Sequence, residues 1–372
     1  MNNKERSFLK LLSKHGMKNP IIFDAGKSFY TQDENNVIKS ISESIEEILK
    51  KMSQARGIAP YISAFCLHDE AVNAFCFIDD AHYYIAIHSG TYVELFRRSQ
   101  RLSDYIADNG IAGYTEKDRI RLLVSIWNYA FKMILAHEYM HIILGHCDLS
   151  NKPSLLLWEA KNDLYECEAM HDRLYRHALE MFADEFAAMD MTRQVLANTG
   201  ESIDELKKEL LVFYLAIVLK FSIFDDNVPF NERHHPRPRV RLYYIAAAID
   251  ETIGKSMEMM TEDVNCLLFA VNSIWDDVLA IIHRFQDLFS GDLLRSWLDI
   301  NVNEEYLEIY NAASVVVKDA NKFALWPIDE YASLDMDALL QAIIEEKGLL
   351  SEAAASGLSF EEANDLLDRR NL

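Results

Sequence analysis

The sequence predicts an α+β protein, mostly α, with one small sheet placed ahead of its longest apolar helix. Three observations carry that expectation. Only 12 Gly and 7 Pro occur in 372 residues, too few for a loop-rich β protein. Short β-branched and aromatic runs cluster between residues 61 and 90. From Tyr92 onward apolar residues recur at helical spacing, with few interruptions.

Taken in order, residues 38–56 place Ile38, Ile41, Ile45 and Ile48 on one helical face, and Gly57 and Pro60 stop that helix. YISAFCLH, VNAFCFID and HYYIAIHSG then read as two or three strands of an antiparallel or mixed sheet, with a turn near Asp79–Ala81 and an end at Gly90. Residues 117–144, KDRIRLLVSIWNYAFKMILAHEYMHIIL, form a long apolar helix, and Gly145 suits the left-handed position after it. A second long helix runs from about Tyr165 to Ala197, and a third spans roughly 202–224. The proline-bearing stretch DDNVPFNERHHPRPR is a loop. Helices resume at Val240, with breaks expected near Gly254, Gly291, Pro327 and Gly348. Residues 1–250 are read as one domain with its motif-bearing core at 60–245, and 251–372 as a helical C-terminal extension. In that extension Trp275, Phe285, Phe289 and Trp297 read as core.

Composition narrows the function. The formal charge of −22 and the lack of a basic stretch argue against nucleic acid and anionic membranes as partners. Cys66, Cys76, Cys147, Cys167 and Cys266 are odd in number, scattered, and form no CxxC, which suits a reducing, cytoplasmic compartment. MNNKERSFLKLLSKHG carries charge where an export signal needs an apolar core, so no signal is expected. The most apolar run, LLVFYLAIVL at 210–219, is about half the length that spans a bilayer and reads as a buried helix.

The chemistry concentrates in HEYMHIILGH, residues 137–146. Residues four apart share a helix face, so His137 and His141 present two imidazoles to one ion. Glu138, next round the helix, is placed to act as a general base on a water without binding the ion. A metzincin would need Gly at Leu144 and His at Cys147, and this chain has neither. The candidate third ligand is Glu180 in HALEMFADEFAAMD; Asp184 lies one turn further on the same face and is suited to accept the N–H of a ligand histidine. His146 and His177 are the alternative third ligands. In HHPRPRVR, His235 or one of Arg237, Arg239 and Arg241 is a candidate donor to an oxyanion.

AHEYMHIILGH followed by EMFADEFAA resembles the ImmA/IrrE group of gluzincin metallopeptidases. HExxH, then ExxxD at Glu180 and Asp184, then HPxxxxR at His235, Pro236 and Arg241 resembles the prenyl-protease and heat-shock peptidase group. In general character the chain also resembles the Lit-type phage-exclusion peptidases. The resemblance covers about 72–241. It implies a zincin core holding one Zn²⁺ on His137, His141 and Glu180, with Glu138 as base. It further implies that an extended protein or peptide substrate lies along the strand containing Asn73, Ala74 and Phe75. The expected function is therefore a soluble zinc endopeptidase, in bacterial regulation or phage defence. The alternative is a catalytically silent regulatory or sensor protein on the same fold.

Overall fold

The computed structural model describes residues 3–14, 16–149, 170–199, 203–224, 235–258, 274–275, 277–285 and 300–326. The expectations for Cys167, Cys266, His234, Phe289, Trp297, the breaks at Gly291, Pro327 and Gly348, and the tail beyond lie outside the described residues.

The sheet forms where the aromatic runs predict it. Strands β1 (Ile62–Leu67), β2 (Ala74–Asp79) and β3 (His82–His88) align in the order β1-β3-β2. β1 runs parallel to β3, and β2 pairs antiparallel with β3 from Ala74↔Ile87 to Asp79↔His82. The sheet is therefore mixed. Asp80 and Ala81 both take positive φ, which closes a two-residue hairpin whose twist matches its strands. Alternation sends Phe65, Leu67, Phe75, Phe77 and Ala86 to one face. There helix α1 (Asn3–Lys14) buries Phe8, Leu11 and Leu12 against them, with the Phe8 and Phe65 rings stacked at 4.0 Å.

Two helices, α2 (Gln32–Ser42) and α3 (Ile45–Ala55), stand where the apolar spacing predicts a single one. The break has a local cause. Ser42 and Ser44 donate their hydroxyls back to the Ile38 and Ile41 carbonyls at 2.7 and 2.9 Å, competing with the backbone ladder. Helix α4 (Ser89–Asp108) follows β3 directly. Gly90 is required there: a Cβ at this position would lie 2.0 Å from the Glu70 carbonyl oxygen.

Helix α5 (Arg119–Ile143) is the centre of the molecule. It is apolar all round its C-terminal half, as a helix enclosed by others must be. Helices α4, α7 (Met170–Thr199) and α8 (Ile203–Ile223) surround it, and β2 and β3 rest on it. After Gly145 the short α6 (His146–Leu149) is held to the sheet, with the Cys76 and Cys147 sulfurs 3.6 Å apart and Tyr83 Oη donating to Asp148 at 3.1 Å. Helix α9 (Pro238–Glu258) packs on α7 and runs through Gly254, where a break was expected. Ile249, Thr252 and Ile253 are buried around that point, and their packing outweighs the ~1 kcal/mol that a glycine costs a helix. Helix α10 (Ile300–Ala320) also packs on α7 and α9. It belongs to the compact unit that spans Met1–Trp326, although it lies in the stretch read from sequence as an extension. Trp275 stacks on Tyr214 at 4.1 Å, and Phe285 meets Tyr105 edge-on.

The two helix-associated glycines should respond oppositely to alanine. Gly145 has φ +77, and a Cβ there would meet backbone atoms of Ala320, Phe323 and Ala324 at 2.7–2.8 Å. Gly254 has open space around it. In urea unfolding we expect Gly145→Ala to cost about 2 kcal/mol or more, and Gly254→Ala to stabilise by about 0.5–1 kcal/mol. Equal effects would refute this account of both positions.

Candidate metal centre

Helical spacing in α5 puts His137 and His141 on one face, with ring centroids 4.6 Å apart. On α7 the same spacing aligns Glu180 and Asp184. Ala183, Ala187 and Ala188 are fully buried, and such small side chains let α7 approach α5 closely. His137 Nε2 then lies 3.1 Å from His141 Nε2. Glu180 Oε2 lies 3.3 Å from His137 Nε2, and Glu180 Oε1 lies 3.2 Å from His141 Nε2. A tetrahedral zinc ion with bonds of about 2.0–2.1 Å sets its ligand atoms about 3.3 Å apart; the two imidazoles stand near that spacing, each faces a different Glu180 oxygen, and the donor types fit zinc. His137, His141 and Glu180 are the one such group among the described residues.

The outer contacts fix the rings. His137 Nδ1 lies 2.8 Å from Asp184 Oδ1, which favours the tautomer with a free Nε2 lone pair. His141 Nδ1 lies 2.9 Å from His146 Nδ1. His146 is fully buried, and burial together with the neighbouring His141 holds its pKa well below the ordinary value. With His146 neutral, one of the two Nδ1 atoms carries the hydrogen that joins the rings. His146 thus lies against His141 and outside the three-atom group. His177, fully buried one turn before Glu180, does not join it either.

Asp184 is completely buried and saturated with donors. Lys220 Nζ reaches Oδ1 at 2.8 Å, Arg241 Nε reaches Oδ2 at 2.6 Å, and Tyr244 Oη donates to Oδ2 at 3.1 Å. Burial alone would raise the Asp184 pKa; Arg241, Lys220 and His137 overcome it and hold the carboxyl ionised. Burial likewise opposes ionisation of Glu180, and His235, His141 and His137 reverse that. His137 is held above its ordinary value because Asp184 and Glu180 outweigh a burial effect of the opposite sign.

Glu138 is buried in the same turn as His137. It adjoins Cys76, whose thiol is pushed well up by burial, then by Cys147 and Glu138. His235 Nδ1 lies 2.9 Å from Glu180 Oε2, and its side chain remains 31% exposed. Arg241 is buried, with one guanidinium nitrogen on Asp184 and another 3.4 Å from Glu180 Oε2. Arg237 pairs with Glu305, and Arg239 is buried. Of the candidate oxyanion donors, His235 is thus the one whose ring is brought to Glu180 while partly open to solvent.

The strand expected to receive a substrate is at the sheet edge, since β2 pairs only with β3 among the described residues. It is also covered. Ala74, Phe75, Cys76 and Phe77 are buried. Asn73 spends its N–H on Thr91 Oγ1 and its carbonyl on the Thr91 hydroxyl and the His88 N–H.

Sequence reasoning missed Lys220 and Tyr244. A signal for Lys220 was present: a lysine inside LLVFYLAIVLKFSI must be partnered if that helix is buried. Tyr244 carries no such signal beyond its place three residues after Arg241. Lys220→Met should lower stability by about 3 kcal/mol in urea unfolding, because it withdraws one of two cations from a buried carboxylate. A loss under about 0.5 kcal/mol would mean that Arg241 and Tyr244 suffice alone.

Protein-family models, curated proteins and solved structures were all compared with this chain, and none matches.

Proposed function

We propose that this chain is a zinc-dependent endopeptidase of the gluzincin type, hydrolysing peptide bonds of a protein substrate. The observation that carries the reading is the convergence of His137, His141 and Glu180 to within 3.1–3.3 Å of one another in a buried site, with Glu138 in the same turn. The order HExxH, ExxxD, HPxxxxR adds support. Zinc at that point supplies Lewis acidity, polarising a carbonyl and making water acidic near neutral pH.

The protein's own groups do the rest. Asp184 and His146 hold the two imidazoles by their outer nitrogens. The Glu138 carboxylate takes a proton from the attacking water and returns it to the leaving amine nitrogen. His235 lies at the open side of Glu180 and donates an N–H toward the oxygen that gains charge. Arg241 acts as a positioning residue, since its buried guanidinium is held by Asp184 and Glu180 and lies over the Phe221 ring. An extended peptide would pair along β2 near Asn73, Ala74 and Phe75 once those residues are uncovered. The free thiols of Cys66, Cys76 and Cys147 agree with a cytoplasmic setting. No helix among the described residues is long and apolar enough to cross a membrane.

The covered strand favours a second reading, a partner-binding regulator that holds zinc and cleaves nothing. Glu138 separates the two, because a binder has no use for a base there.

Elemental analysis of the purified chain should find about one zinc per molecule, lost or much weakened in Glu180→Ala. Retention of full zinc by that variant would remove Glu180 from the ligand set. Glu138→Gln should keep the metal and lose roughly a hundredfold or more of the cleavage rate. Undiminished cleavage by Glu138→Gln would sink the mechanism.

A further inference from the structure

We infer that Glu305 is a positioning residue for the metal centre, acting from α10 through Arg237 on the segment that carries His235. The inference rests on the reading of His137, His141 and Glu180 as zinc ligands. Glu305 is buried, and its two carboxylate oxygens accept from Arg237: Oε1 from the backbone N–H at 3.2 Å and Oε2 from Nε at 2.8 Å. Arg237 stands between Pro236 and Pro238. Each proline fixes its own φ and restricts the residue before it, so a chain gripped at Arg237 has few ways to place His235. His235 Nδ1 in turn lies 2.9 Å from Glu180 Oε2. The path from α10 to the candidate ligand is thus two contacts joined by the His235–Arg237 backbone.

The neighbouring contacts act in the same direction. Tyr306 is buried, with its ring edge-on to Tyr243 at 5.2 Å. Successive residues of α10 therefore grip the residue just before α9 and its first turns, which carry two of the Asp184 donors, Arg241 and Tyr244. Beyond the other end of α10, the Trp326 N–H donates to the Ile143 carbonyl at 3.0 Å, and the backbone of Ala320 to Ala324 closes over Gly145. One helix thus braces the end of α5 just past His141 and the start of α9. A buried carboxylate is a poor choice if α10 served packing alone, since an apolar residue of similar volume would be at least as stable there. A carboxylate bound at two points gives direction instead.

The experiment measures zinc affinity of the full chain by competition with a chromophoric chelator, alongside thermal melting. It uses wild type, Glu305→Ala, Glu305→Gln, His235→Ala and the Glu305→Ala/His235→Ala double variant. Loss of such an outer contact typically weakens metal binding roughly tenfold or more. We expect that loss in Glu305→Ala, and recovery to within about threefold of wild type in Glu305→Gln, which keeps an acceptor for the Arg237 N–H. His235→Ala should show a similar loss, and the double variant should add little to it. Should Glu305→Ala not fold, Arg237→Gln removes the same side-chain bond from the other partner and should weaken zinc in the same way. Unchanged zinc affinity with a lowered melting temperature would overturn the inference, leaving Glu305 a purely structural residue. Full additivity with His235→Ala would overturn the route through His235. Absence of zinc binding in wild type is a different result, which would remove the zinc reading itself and the role of Glu305 with it.

Discussion

The buried carboxylate of Asp184 is the interaction on which the site depends. It stands on α7 and is met by His137 from α5, Lys220 from α8, and Arg241 and Tyr244 from α9. Four helices are therefore registered against one another by a single side chain. An isolated ionised carboxylate in such a place would be untenable, and would take up a proton instead. Two cations and a phenol keep Asp184 charged, and its remaining hydrogen-bonding capacity turns the His137 ring. The arrangement is expensive for stability alone, because apolar side chains would pack the same space without desolvating ions. It gives a fixed direction to the His137 ring, as the proposed metal centre would require.

The fold builds outward from that point. Helix α5 can be apolar on every side only because α4, α7, α8 and the sheet enclose it. The sheet in turn needs a cover for its far face, and α1 supplies Phe8, Leu11 and Leu12. The segment at Ile21–Phe23 bonds along β1, with Phe23 N–H donating to the Cys66 carbonyl at 2.9 Å. That protects the β1 edge and leaves β2 as the strand against the site. Its burial is the feature that most constrains how a substrate or partner would engage.

Glycine and proline set the joints. Gly145 permits α10 and its following residues to seat on the end of the motif helix. Gly90 lets the Asp69–Ala71 backbone cross the start of α4. The prolines around Arg237 stiffen the segment that carries His235. These residues perform no chemistry, yet each permits an approach on which the geometry of the centre rests.

Much of this was readable from the chain. The pairs His137/His141 and Glu180/Asp184 are i,i+4 repeats within helices, and their alignment follows from helix geometry alone. The sheet was legible because β-branched and aromatic runs are bounded by turn residues. The break at Ser42–Ser44 and the continuation through Gly254 were not. In each case a weak local preference was decided by hydroxyl back-bonding or by packing, neither of which periodicity reports. The sequence by itself determined which residues share a helical face, and hence the histidine pair His137/His141, the adjoining Glu138 and the carboxylate pair Glu180/Asp184. Only the tertiary structure decided that these faces meet, that Lys220 and Tyr244 complete Asp184, and that the His146 ring lies against His141. The first two are contacts between segments far apart in the chain, set by which surfaces exclude water together; the last is local, but it needs the turn at Gly145 to bring the His146 ring back onto His141.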